Sequence, residues 1–105
     1  MKKDLPISDN ILAANNFSGW SFLTNHTHIL VCLTREPSIT VRNLSLQVGI
    51  TERSVQRILS DLEQSGVVTR TKEGRRNHYK VNEDFQLRHP LEAQHTLGEL
   101  LGTLK

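Results

Sequence analysis

Apolar residues recur along the middle of this chain with helical spacing in three successive runs. From Ser21, the positions Phe22, His26, Ile29, Leu30 and Leu33 fall on one helical face. Glu36-Pro37 stops that run, because a residue before proline is pushed out of the α region. The second run is Val41, Leu44 and Val48 at i, i+3 and i+7, with Thr40 placed to cap it, Gly49 to end it and Leu46 off its stripe. Between the two, Ser38-Ile39-Thr40 is β-branched enough to predict a small strand. The third run is Val55, Ile58, Leu59 and Leu62 at i, i+3, i+4 and i+7. Thr51 is its N-cap, Glu52 complements the helix dipole in its first turn, and Gly66 closes it.

The period then shortens from helical to alternating. Residues 67–71 and 77–81 read as two β-strands joined by Lys72-Glu73-Gly74-Arg75-Arg76, where Gly74 supplies the permissive backbone of a hairpin turn. Residues 82–90 are polar and irregular. Leu91, Leu97, Leu100, Leu101 and Leu104 then predict a final helix over 91–104, weakened by Gly98 and Gly102 and so in need of a partner surface. Ahead of all this, residues 1–18 mix charged and polar residues with short apolar pairs too sparse to nucleate a helix alone. The expected division is a flexible N-terminal tail over 1–18, a folded domain over 19–85 and a C-terminal helix over 86–105. The fold class is mainly α with one small β-hairpin.

The 105 residues suffice for one domain with short extensions and leave little room for a separate sensing domain. A lone cysteine, Cys32, cannot form an internal disulfide. No apolar run approaches the roughly 20 residues of a membrane-spanning helix, and the N-terminus lacks a leader pattern, so a cytoplasmic protein is expected. The net charge of +2 is modest, but its distribution is uneven. Arg70, Lys72, Arg75, Arg76 and Lys80 crowd the hairpin against Glu73 alone.

With Val55, Ile58, Leu59 and Leu62 facing a core, Arg53, Gln56 and Arg57 face outward together. Arginine bonds guanine bidentately and glutamine does the same for adenine, so this face suits base edges in a DNA major groove. Thr51, Ser54 and the first amides of the helix are placed for phosphate oxygens, which fix register without reading sequence. The order of helix, glycine turn, helix and basic hairpin is that of a winged helix-turn-helix. Residues 44–62, LSLQVGITERSVQRILSDL, with Glu63-Gln64-Ser65-Gly66-Val67-Val68 and Gly74-Arg75-Arg76-Asn77-His78-Tyr79, resemble the MarR-type and ArsR-type regulators.

That resemblance spans about residues 21–85. It implies a transcriptional regulator of double-stranded DNA, with a recognition helix at about 51–65 in the major groove. It further implies a wing at 72–77, with Lys72, Arg75, Arg76 and Asn77 on flanking backbone or minor groove. Because one recognition helix covers few base pairs, a homodimer is expected, with the C-terminal leucine face as its surface. The alternative is a winged-helix docking module that binds protein and not DNA, a use for which Arg53, Arg57 and the basic hairpin would not be required.

Other chemistry finds little footing. His28 and Cys32 stand at i, i+4, but two ligands do not make a tetrahedral metal site. Trp20, near Phe17 and Phe22, reads as an aromatic anchor for the tail. No phosphate-binding glycine loop, zinc-finger spacing or nucleophile elbow occurs, and Glu52, Asp61 and Glu63 are accounted for as helix charges. Neither an enzyme nor a cofactor is expected.

Overall fold

A computed structural model of the protein describes residues 19–104. The tail expected over 1–18, with Phe17, lies outside the described residues. The elements follow in the order α1 (Asn25–Arg35), α2 (Val41–Val48), α3 (Glu52–Gln64), β1 (Val68–Glu73), β2 (Arg76–Val81) and α4 (Leu97–Leu104). Three helices with a two-stranded antiparallel hairpin, followed by a short helix, form a winged helix-turn-helix, mainly α with a small β wing.

Two of the helix starts are closed by the threonines that the sequence places there. The Thr40 Oγ1 accepts from the Asn43 amide at 3.1 Å and the Thr51 Oγ1 from the Ser54 amide at 3.0 Å. Each bond satisfies an amide that the first turn leaves without a partner. Between α2 and α3, Gly49 sits at φ 84°, a left-handed backbone in which a side chain would be strained, so the tight turn depends on glycine there. The apolar stripes then meet. Ile29, Leu30 and Leu33 of α1, Leu44 of α2, and Val55, Ile58, Leu59 and Leu62 of α3 are buried in one core with Ile39, Val67, Val68 and Tyr79.

The structure departs from the sequence reading in four places. First, α1 begins at Asn25, not Ser21, and Phe22 is 89% exposed, edge-on to Trp20 with ring centroids 4.8 Å apart. Thr24 makes no side-chain cap bond, so nothing local extends the helix upstream. Second, Ser38-Ile39-Thr40 is not a strand. One backbone bond, from the Tyr79 amide to the Pro37 carbonyl at 2.9 Å, reaches this connection from the hairpin. Proline has no amide to return, so a regular ladder cannot start there.

Third, the strands run closer to the hairpin tip than the composition suggested. The register pairs Val68 with Val81 and continues to Lys72 with Asn77 and Glu73 with Arg76, leaving Gly74-Arg75 as the turn. Fourth, the last helix is only its second half, because α4 starts at Leu97 and Leu91 is 83% exposed. The cause is a reciprocal cap. The Thr96 Oγ1 accepts from the Glu99 amide at 3.2 Å, while a Glu99 carboxylate oxygen accepts from the Thr96 amide at 2.8 Å. That backbone bond, first among several causes, holds the Glu99 carboxyl below its usual range. Its contribution to stability is therefore present above the ordinary glutamate pKa and is lost as pH falls through the lowered one.

The surface that α4 packs on is found within the same chain. Leu97 and Leu101 are buried in the common core. Gly98 lies so close to Glu83 that a Cβ there would stand 3.0 Å from the Glu83 carbonyl oxygen, which accounts for a glycine in a helix of eight residues. The Gly98 amide donates to that same carbonyl at 2.9 Å.

Candidate nucleic-acid interface

α3 sorts its side chains by period alone. Val55, Ile58, Leu59 and Leu62 are buried, while Arg53, Gln56, Arg57 and Ser60 are exposed on the opposite side. No side-chain hydrogen bond or ion pair within the described residues engages Arg53, Gln56 or Arg57, and all three side chains are exposed. Thr51 and Ser54, the residues expected at phosphates, are coupled to each other. The Thr51 hydroxyl donates to the Ser54 Oγ at 3.0 Å while accepting from the Ser54 amide. The Ser54 hydroxyl keeps its own proton available for an outside acceptor.

Strand alternation divides the four expected wing residues, a division the composition could not show. Side chains two apart share a face, and paired residues share it too. From the register, Val68, Arg70 and Lys72 stand with Asn77, Tyr79 and Val81 on one face, and Thr69, Thr71 and Glu73 stand with Arg76, His78 and Lys80 on the other. The first face is turned toward α3. Arg70 Nε lies 3.5 Å from Glu63 Oε1, and a shallow groove between α3 and the hairpin is lined by Gln56, Ser60, Arg70 and Asn77. Lys72 and Asn77 thus belong to the side of the wing nearest the exposed face of α3. Arg75 sits in the turn itself.

Arg76 is on the other face, and it is engaged. Its Nη1 donates to the Ser38 carbonyl at 3.1 Å. Arg70 is likewise tied, so of the hairpin's basic residues Lys72, Arg75 and Lys80 are the ones with no partner among the described residues. Within the core edge of the wing, burial pushes the Tyr79 hydroxyl above its usual pKa, with the neighbouring Glu63 carboxylate adding to the effect.

One cation of this surface was not singled out from sequence. Arg42 is exposed in the first turn of α2 and has no partner among the described residues. In a helix-turn-helix the first helix crosses the DNA backbone, which is where such a charge is useful. The signal was present in the sequence, since Arg42 follows Val41 at the capped start of α2 and is off the Val41, Leu44 and Val48 stripe.

The two histidines and the cysteine of α1 have partners of their own. The Cys32 thiol is buried, donates to Gln47 Oε1 on α2 at 3.3 Å, and is pushed up in pKa chiefly by that burial. His28 pairs with Asn25, and His26 bridges to Asp61 of α3 at 3.0 Å. No group of three or more His, Cys, Asp or Glu side chains placed to hold a metal occurs among the described residues. Nor is any helix among them long and apolar enough to cross a membrane.

No curated protein and no solved structure matches the chain. Residues 23–69 do match a family model, that of winged helix-turn-helix DNA-binding domains. The match is to this broad description and does not reach to a MarR-type or ArsR-type subfamily. It runs from just before α1 into the start of β1, so the greater part of the wing and all of α4 lie beyond it. Over the helices that build the exposed Arg53, Gln56 and Arg57 face, the chain is therefore similar to DNA-binding winged helix-turn-helix domains, and its own fold is of that kind.

Proposed function

We propose that this protein is an intracellular transcriptional regulator that reads double-stranded DNA by placing α3 in the major groove. The observation that carries the reading is the exposed, internally unpartnered trio Arg53, Gln56 and Arg57, on the helix that a DNA-binding family model covers. In this reading the trio contacts base edges. Thr51, Ser54, Arg42, Lys72, Arg75 and Asn77 hold phosphates or a flanking minor groove. A protein-docking surface has no need of so many free guanidinium groups around one groove-sized helix.

The functional unit in this reading is a homodimer, since a two-fold pair of recognition helices spans half-sites about one DNA turn apart. The C-terminal segment supplies the surface. Leu97 and Leu101 are already in the core, but Leu100 and Leu104 are half-buried and Leu91 is exposed. A monomeric mass by light scattering at high protein concentration would remove this part of the proposal.

Fluorescence anisotropy against a pool of duplex DNA across a salt series tests the whole. Binding should weaken steeply as salt rises, because each neutralised phosphate releases counterions. Absence of binding at low salt would leave a winged helix that docks on protein.

A further inference from the structure

A hairpin of two strands is marginal by itself, so something must set the angle at which this wing leaves the domain. Besides the Arg70–Glu63 pair on the α3 side, the polar part of that job falls to the connection between α1 and α2. There the Pro37 carbonyl accepts from the Tyr79 amide at 2.9 Å, and the Ser38 carbonyl accepts from the Arg76 guanidinium at 3.1 Å. The Ser38 hydroxyl pairs with His78 Nδ1 at 3.0 Å. Three bonds from Arg76, His78 and Tyr79 of β2 thus end on two adjacent residues. Arg76 and His78 project from the hairpin face opposite Lys72 and Asn77, so this hold leaves the α3 side of the wing free.

We propose that Ser38 is the anchor of the wing, and that Ser38 and His78 are positioning residues for DNA binding. They make no contact with DNA themselves. They fix where Lys72 and Arg75 meet the phosphate backbone, and Arg76 belongs first to this anchor. The inference rests on the DNA-binding reading for its consequence, but not for the anchor itself. When the hydroxyl–imidazole bond is removed, the hairpin keeps its apolar root at Val68, Tyr79 and Val81 and swings more freely beyond it.

The test uses the full chain as wild type, Ser38→Ala, Ser38→Thr, His78→Ala, Arg75→Ala and the Ser38→Ala/Arg75→Ala pair, with two readouts. Amide hydrogen exchange without DNA should quicken over residues 69–80 by about threefold to tenfold in Ser38→Ala and His78→Ala, the range for one hydrogen bond. Exchange in α1, α2 and α3 should not change, and Ser38→Thr should restore the wild-type wing. In anisotropy titrations, Ser38→Ala removes no charge, yet it should flatten the slope of log K against log salt by about 1, as loss of a phosphate contact does. Arg75→Ala should then cost less in the Ser38→Ala background than in wild type.

Unchanged exchange over the wing in both Ser38→Ala and His78→Ala overturns the anchor. So does a loss of protection spread evenly over α1, α2 and α3 in both variants, which would make the contact an ordinary stability element. Quickened wing exchange with an unchanged salt slope overturns the positioning role alone. If wild type binds no duplex at low salt, the DNA reading fails, while the exchange data still decide the anchor.

Discussion

α3 and the wing carry the same kind of side chain to the same surface by different means. In α3 a period of 3.6 residues sends Val55, Ile58, Leu59 and Leu62 inward and Arg53, Gln56 and Arg57 outward, so the basic face is free because the apolar face is satisfied. The wing has almost no inner face to satisfy. In β1 only Val68 is buried, and in β2 only Tyr79. It is held instead by polar side chains, Arg70 on Glu63 and Arg76 and His78 on Ser38, and these bonds occupy part of the charge that composition alone would assign to a ligand. A basic hairpin therefore has to be read pair by pair before its charge is counted as free.

The comparison breaks first at the core. Leu59→Ala on the inner face of α3 should lower unfolding free energy by about 2–5 kcal/mol in denaturant titrations. Thr69→Ala on the exposed wing should stay within about 0.5 kcal/mol. Equal losses would mean that the hairpin is packed as tightly as the helix. Next in size, Arg53→Ala or Arg57→Ala should cost about 1–3 kcal/mol of discrimination between preferred and scrambled duplexes in competition anisotropy. A uniform loss on all duplexes would move those side chains from bases to backbone.

Thr51→Ala should cost about 0.5–2 kcal/mol of stability through the lost cap, whereas Thr24→Ala, whose hydroxyl caps nothing, should cost little in the same denaturant titrations. Arg75→Ala at the wing tip should weaken binding evenly across sequences and flatten the salt slope by about 1. Smallest of all, Glu63→Gln removes the ion pair to Arg70 that joins the two regions. A pair this exposed should change stability by about 0–1 kcal/mol, with the effect shrinking in added salt.

Most of the helical frame was legible because its signals are local. Thr40 and Thr51 cap where they stand, Gly49 and Gly66 end runs with positive φ, and the apolar spacing of α3 sorts its faces without help. The start of α4 has a local signal too. Thr96-Leu97-Gly98-Glu99 is a capping-box spacing, and it outranks the leucine at 91 that suggested a longer helix. The exposure of Phe22 and Trp20 had no local signal, since aromatic composition says nothing of where α1 begins.

What the sequence determined by itself, then, is the order of three helices and a hairpin and the outward face of α3, because caps, turn glycines and periodicity act within a few residues. The tertiary structure decided which leucines of the C-terminal segment belong to the core and why Gly98 must lack a side chain. It also decided that Arg76 turns away from Lys72 toward a serine 38 residues earlier in the chain. Those outcomes depend on strand register and on distant segments meeting, and no short window of sequence contains both partners.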